Sequence, residues 1–238
     1  MNGYDEAEEL KGSVALITGS SRGLGLVLAR GLGRQGARVV LNGRDANRLN
    51  AAVEELKGEG IDCSAERFDI AEPDEVEGAV ARIEKEIGPI EILVNNAGMQ
   101  HRAPLEEFPL DKWEQLIRTN LTGAFLVAQA VAGSMIPRRR GKIINVCSLQ
   151  AELGRSTIAP YAASKGGLRM LTRAMCVDWA QYNIQINAIG PGYFETEMTR
   201  PLRENEEFDR WLRARTPSGR WGDPEELTGA VLFFASSA

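Results

Sequence analysis

The apolar positions of the chain fall into two alternating rhythms. Short runs rich in β-branched residues read as buried strands: "VALIT" (Val14 to Thr18), "ARVVLN" (Ala37 to Asn42), "EILVN" (Glu91 to Asn95), "KIINV" (Lys142 to Val146) and "IQINAI" (Ile184 to Ile189), with a weaker candidate from Cys63 to Phe68. Longer amphipathic stretches of helical period separate them. Strand and helix in alternation predict an α/β fold, a doubly wound parallel sheet with helices on both faces and right-handed crossovers. One polar stretch, 195–215, "ETEMTRPLRENEEFDRWLRAR", interrupts the rhythm. Ligands of such sheets bind beyond the carboxyl ends of the strands, so an insertion after the sixth strand is expected to overhang the site as a lid.

The length of 238 residues suits a single domain spanning 1–238. With 43% hydrophobic and 26% charged residues the chain can bury a core, and its net charge of -5 argues against a general nucleic-acid binder. The one basic run, "PRRRGK" (Pro137 to Lys142), reads as a solvated loop. Cys63, Cys147 and Cys176 lie far apart without a CxxC pair, which predicts neither a disulfide framework nor a metal site and fits a reducing cytoplasm. The acidic start "MNGYDEAEEL" has no apolar core of a signal peptide. The apolar stretch Gly123 to Ile136, interrupted by Gln129, falls short of the ~20 residues that span a bilayer, so no membrane association is expected.

Candidate chemistry begins at "TGSSRGLG" (Thr18 to Gly25), which follows the first strand and opens a helix. Gly19 allows a tight turn, and Gly23 and Gly25 let a pyrophosphate approach the helix N-terminus, whose unpaired N–H groups favour anions. About 20 residues beyond such glycines an NAD-binding fold usually places an acid against the adenosine ribose. Here the second strand ends "LNGRD", with Arg44 after Asn42 and Gly43. Arg22 and Arg44 converging with no acid between them would suit a ribose 2′-phosphate, hence NADP(H). Asp45 is either the missing acid or the N-cap of the helix from Ala46, and the helical pattern that follows favours the cap. The alternative for Arg44 is an ordinary surface residue.

"YAASK" (Tyr161 to Lys165) places a phenol and an ammonium on one helix face. A fixed positive charge lowers a phenol pKa from its usual ~10, so the pair could serve as general acid and base. Ser148 follows the fifth strand, at the same carboxyl edge, and Asn120 is a polar residue in an otherwise apolar helix. Each has a plain alternative: an exposed pair, a turn hydroxyl, a satisfied buried amide.

Taken together, "TGSSRGLG", "NNAG" (Asn95 to Gly98), Asn120, Ser148 and "YAASK" resemble the short-chain dehydrogenase/reductase family, a Rossmann-fold family, in order and spacing over nearly the whole chain. The resemblance implies that Tyr161 exchanges a proton with the substrate oxygen, which Ser148 holds by hydrogen bond. Lys165 would bind the nicotinamide ribose and lower the tyrosine pKa, and Asn120 would anchor a water of the proton relay. Gly19, Ser21, Arg22, Gly23, Leu24 and Gly25 would cradle the cofactor, Asp69 and Ile70 contact the adenine, and Asn96, Ala97 and Gly98 line the cofactor. Pro191, Gly192 and Thr196 would surround the nicotinamide amide. Hydride would pass directly between substrate carbon and nicotinamide.

The segments "NNAGMQHRAPLEEFP", "PGYFETEMT" and "RTPSGRWGDP" resemble more narrowly the members that oxidise a sugar acid at a secondary alcohol. A sugar acid needs an arginine and short polar groups. Arg102, then Arg155, are the candidates for its carboxylate, with Gln150, Glu152, Tyr193 and Ser148 as further contacts; a Glu152–Arg155 pair bracing the loop is an equal alternative. His101, the single histidine, is expected at the rim, and without a GxSxG elbow a hydrolase is excluded. Rival readings are a 3-oxoacyl thioester reductase, another polyol dehydrogenase, and a noncatalytic nucleotide sensor, which need not keep Ser148, Tyr161 and Lys165. The long apolar helices Asp111 to Ile136 and Tyr161 to Tyr182 form a dimer face in family members, implying a homo-oligomer, a dimer of dimers. Similar proteins continue past "AVLFFASSA" into a last strand, so a C-terminal edge strand is expected to be missing.

Overall fold

The computed structural model describes residues 9–237; the first eight residues, read above as lacking a signal peptide, lie outside them. Six strands form one parallel sheet: β1 (Val14–Ile17), β2 (Arg38–Gly43), β3 (Cys63–Arg67), β4 (Ile90–Asn95), β5 (Gly141–Val146) and β6 (Ile184–Ile189). Their spatial order is β3-β2-β1-β4-β5-β6, so the winding reverses between β1 and β4. Strand order of this kind opens a crevice at the reversal, above the carboxyl ends.

The period of two in the strands decides which helices cover which face. Ala15 and Ile17 point to one core, with Val39 and Leu41, against Leu28 and Leu32 of α1 (Gly23–Arg34), Leu49 and Leu56 of α2 (Ala46–Gly58), and Val231 of α9 (Thr228–Ala235). Val14 and Leu16 point to the other, with Val40 and Leu93, against Val76 and Ile83 of α3 (Pro73–Glu86), Val127 and Val131 of α5 (Ala124–Arg138), and Met175 of α6 (Ala159–Trp179). Both cores are continuous, so the sheet is buried on both faces, as its unbroken apolar strands predict.

Two expectations change. The helix expected from Asp111 to Ile136 is α4 (Leu110–Ile117), a π-helical turn Arg118–Gly123, and α5 in one unbroken run. This run, Leu110–Arg138, is long and apolar enough by length and composition to cross a membrane, unlike its apolar part alone. Val127, Ala128, Val131 and Met135 are nevertheless fully buried under the sheet. The basic run is not a loose loop either, because each arginine finds a partner. Arg138 ends α5 and pairs with Glu84 at 2.7 Å, Arg139 takes a left-handed φ of 51° and donates to the Gln181 carbonyl at 2.8 Å, and Arg140 pairs with Glu91 at 3.0 Å. Among the described residues no strand follows β6, which pairs with β5 alone.

Candidate functional site

The loop after β1 is fixed from two sides. Thr18 Oγ1 accepts from the backbone N–H groups of Asn96 and Ala97, each at 3.0 Å, and Asn96 Nδ2 donates to the carbonyls of Thr18 and Gly19. From the other side buried Asn42 accepts from the Gly19 N–H at 3.1 Å and donates to the Phe68 carbonyl at 3.0 Å. Gly19 and Gly23 have φ of 63° and 56°, the left-handed region that glycine enters without strain. A Cβ on Gly19 would sit 2.8 Å from Ala97 Cα, and one on Gly25 2.4 Å from Asn96 Nδ2, so these two permit close packing. A Cβ on Gly23 would meet nothing within 4 Å: here the chain faces open space at the start of α1.

That start carries no side-chain cap and no acid in its first turn. Its unpaired N–H groups and the positive end of the helix dipole therefore face outward, which suits a pyrophosphate. Ser21 and Leu24 complete the turn, with Ser21 Oγ 3.1 Å from where a Cβ of Gly43 would lie. The loop thus fits a dinucleotide.

The two arginines at the adenosine end are not a bare pair, as the sequence led us to expect. Arg22 Nη1 contacts Glu197 Oε2 at 2.6 Å, and Arg44 Nη1 contacts Asp69 Oδ2 at 3.3 Å. Both guanidiniums face solvent and take the nearest carboxylate; exposed pairs of this kind contribute under about 1 kcal/mol and yield to a phosphate. Asp45 is spent as the N-cap of α2, accepting from the N–H groups of Asn47 and Arg48. Asp69 also accepts from the Ala71 N–H, and Ile70 is buried against the space left by Gly123.

At the chemical end, the loops after β5 and β6 are joined by the N–H groups of Cys147 and Leu149, which donate to the carbonyls of Ile189 and Pro191. Ser148 Oγ accepts from the Gln150 N–H at 3.1 Å, which leaves its own proton to donate elsewhere. Tyr161 and Lys165 stand one turn apart on α6. Lys165, 4% exposed, donates to the Val146 carbonyl at 2.7 Å, and burial holds its ammonium down to about 8. Its Nζ lies 5.9 Å from the Tyr161 ring centre.

Lys165, with its Nζ 5.9 Å from the ring centre, is not among the main groups acting on the phenol. Burial pushes Tyr161 up, and the groups that oppose it are the Ser148 hydroxyl and the Arg102 guanidinium. A phenol raised in this way is protonated at neutral pH and can donate to a carbonyl oxygen. The Asn120 side chain is a fully buried amide with partners on both of its ends. Its Oδ1 accepts from the Met99 N–H at 2.8 Å, and its Nδ2 donates to the Met99 carbonyl and to Ser164 Oγ. Both donors are therefore spent on bracing the segment after β4. A Cβ on Gly98 would lie 3.4 Å from Asn120 Oδ1 and 3.7 Å from Lys165 Nζ, so glycine keeps the floor beside the lysine clear.

Beside Ser148 and Tyr161 opens a cleft of about 70 Å3, lined further by Arg102, Gln150, Arg155 and Tyr193. The Nε atoms of Arg102 and Arg155 and the Oε1 atom of Gln150 are buried with no hydrogen-bond partner among the described residues. Burial and the neighbouring charge of Arg155 both weaken the hold of Arg102 on its proton. Two half-buried guanidiniums lining one cleft, each with a buried unpartnered Nε, favour an anion there. Glu152 does not enter the cleft and does not pair with Arg155: it turns to Arg169 at 2.5 Å. Pro191 holds the loop through its carbonyl, Gly192 lines the cleft, and Thr196 is tied by its N–H to Thr199 Oγ1 at 3.0 Å. His101 stacks edge-on against Phe108 at 5.4 Å.

The segment 195–215 folds as α7 (Arg200–Arg203) and α8 (Glu206–Arg215), and Met198, Thr199 and Leu202 close the cleft from that side. Arg102 donates to the Met198 carbonyl at 3.3 Å, and the Arg155 guanidinium lies 5.2 Å over the Phe208 ring. Phe208 and Trp221 meet Tyr193 edge-on at 5.6 and 5.7 Å. Sequence reasoning missed these contacts, although the aromatic spacing within a polar segment was a usable signal.

A nucleotide-fitting loop at the reversal of a parallel sheet, beside a serine, tyrosine and lysine at its carboxyl edge, defines a dinucleotide-dependent dehydrogenase. The short chain dehydrogenase family matches residues 13–207, and the chain belongs to that family. It is 54% identical over 229 residues to 5-keto-D-gluconate 5-reductase of Escherichia coli, covering 96% of this chain and 90% of that one. It is 45% identical over 232 residues to 2-dehydro-3-deoxy-D-gluconate 5-dehydrogenase of Formosa agariphila, covering 97% and 88%. The structure of a gluconate 5-dehydrogenase from Burkholderia cenocepacia in complex with NADP and tartrate superimposes with a TM-score of 0.93 at 54% identity, covering 95% and 89%.

Proposed function

We propose that the protein is an NADP(H)-dependent oxidoreductase that interconverts gluconate and 5-keto-gluconate. The observation that carries this reading is the cleft itself, where Ser148 and Tyr161 share a wall with two half-buried arginines whose Nε atoms are buried without a partner among the described residues. A substrate with a reducible carbonyl at one end and a carboxylate at the other satisfies both. The relatives named for 5-keto-gluconate and gluconate support the same substrate.

When bound, the nicotinamide supplies or accepts the hydride. Tyr161 gives its proton to the carbonyl oxygen in reduction and recovers it in oxidation, while Ser148 donates a hydrogen bond to that oxygen. Lys165, with two protons not used on Val146, holds the nicotinamide ribose hydroxyls. Asn120 acts as a positioning residue through Met99. At the adenosine end Arg22 and Arg44 exchange Glu197 and Asp69 for the 2′-phosphate, which supports NADP(H) over NAD(H). Arg102 and Arg155 take the carboxylate.

The segment 195–215 serves as a lid over a single domain, a role supported by its cleft-lining residues and by Phe208 packed on Arg155. Exposed Leu110, Trp113, Phe125, Met170 and Val177 on α4, α5 and α6 support assembly into a homo-oligomer, a dimer of dimers. Free cysteine thiols and a nicotinamide cofactor fit a cytoplasmic setting.

The test is the initial rate of nicotinamide absorbance change with 5-keto-gluconate, NADPH against NADH. Fast oxidation of NADPH with slow oxidation of NADH is expected. No rate with either would overturn the substrate; equal rates would overturn the role given to Arg22 and Arg44.

A further inference from the structure

Binding a carboxylate uses hydrogen-bond donors, and the cleft is rich in them. Recognising a hydroxyl as a donor requires an acceptor, and the cleft is poor in those. Thr199 Oγ1 donates to the Phe194 carbonyl and accepts from the Thr196 N–H. Gln100 Oε1 is taken by the N–H of His101, and Ser148 Oγ by that of Gln150. The Tyr193 hydroxyl oxygen accepts from Gln150 Nε2 at 3.3 Å. Each of these oxygens has at least one donor; Gln150 Oε1, a carbonyl oxygen on a side chain only 9% exposed, lines the cleft with none among the described residues.

A buried acceptor left without a donor costs about 1 to 3 kcal/mol, a cost a ligand hydroxyl can remove. Turning the amide over would keep the Tyr193 contact, since a hydroxyl can donate as well as accept, but it would aim Nε2 into a cleft already lined by the donors of Arg102 and Arg155. The orientation with Oε1 toward the cleft is therefore the better matched, and Tyr193 itself is held between Phe208 and Trp221. Gln150 lines the same cleft as Ser148, Arg102 and Arg155, so its carbonyl borders the space that a sugar acid held by those residues would fill.

We propose that Gln150 is a specificity-determining residue whose Oε1 accepts a hydrogen bond from the substrate's C2 or C3 hydroxyl, the two nearest the carboxylate. Tyr193 is its positioning residue. The proposal rests on the sugar-acid reading of the cleft and adds what that reading leaves open, the choice among sugar acids. Acids with a hydroxyl at those carbons satisfy the amide; acids in which it is removed and its neighbour oxidised to a ketone present an acceptor to an acceptor, or nothing.

The experiment compares oxidation of gluconate with that of 2-dehydro-3-deoxy-gluconate by the wild type and by Gln150→Met, which keeps the length and the apolar stem. The variant is expected to lose about ten- to a hundredfold in kcat/KM for gluconate and less than about threefold for the deoxy keto acid, mostly through KM. Equal losses on both acids, or no loss on either, would overturn the proposal. Tyr193→Phe is the second variant, in case the first fails to fold: it frees the amide to rotate and is expected to narrow the preference for gluconate in the same direction. An unchanged preference there counts against the proposal. A wild type that turns over neither acid overturns the sugar-acid reading and this inference together, whereas a wild type active on gluconate with an indifferent Gln150→Met overturns this inference alone.

Discussion

Replacing Lys165 by methionine should remove activity and at the same time change how stability depends on pH. The lysine is 4% exposed, and its ammonium is held at about 8 against the ordinary 10.5. Each unit of pKa corresponds to about 1.4 kcal/mol, so at pH 7, where both folded and unfolded chains carry the proton, the folded chain bears a cost of about 3 kcal/mol. Between pH 8 and 10.5 the unfolded chain keeps a proton that the folded chain has lost. Stability therefore rises with pH across that window, and above it the cost is gone. Lys165→Met never bears this cost, but it leaves the Val146 carbonyl without the 2.7 Å donor, a loss of about 1 to 3 kcal/mol at every pH. The variant should thus be equal to the wild type or up to about 2 kcal/mol more stable at pH 7, and less stable by pH 10.5, a swing of about 3 kcal/mol. For a chain of 238 residues each kcal/mol is about 2 to 4 °C in Tm. Urea unfolding of both proteins without nucleotide, at pH 7 and at pH 10.5, measures the swing. A difference that stays constant between the two pH values would refute the buried-ammonium account.

Tyr161→Phe should lower kcat by at least about a hundredfold while leaving the affinity for NADPH, read by fluorescence titration, unchanged; near-normal turnover would sink the proton-transfer role. Arg44→Gln should raise the KM for NADPH about tenfold or more and hardly move that for NADH, and equal effects on both coenzymes would remove the 2′-phosphate contact. Light scattering should find an oligomer that Val177→Arg, at a position 81% exposed on α6, converts to smaller species; a wild type seen only as monomer would refute the assembly.

The sheet was legible because its strands are buried on both faces and short, so that "VALIT" and "KIINV" contrast sharply with the amphipathic segments between them. The end of α5 was not. "PRRRGK" reads as a charged turn, but Arg138 and Arg140 meet Glu84 and Glu91, more than 48 residues away in sequence, and no local pattern encodes such partners. The π turn at Asn120 was equally hidden, since the amide that stabilises it bonds to Met99 and Ser164, which come from two other segments.

The site divides along the same line between local and distant causes. Gly19, Gly23 and Gly25 could be read because each meets a backbone requirement of its own turn, and Ser148, Tyr161 and Lys165 because their chemistry is unusual at their spacing. Which charges pair could not be read. Glu152 stood as near to Arg155 in sequence as any acid, yet α6 presents Arg169 to it and Phe208 takes the face of Arg155. The consequence is functional: an Arg155 paired with Glu152 would be neutralised, whereas one stacked on an aromatic ring keeps its charge and its buried Nε for an anion. The same substitution of a ring for a carboxylate ties the carboxylate end of the cleft to α8, so substitutions at Phe208 belong with those of the substrate pocket although the residue lies in a segment that composition alone marks as solvent-facing.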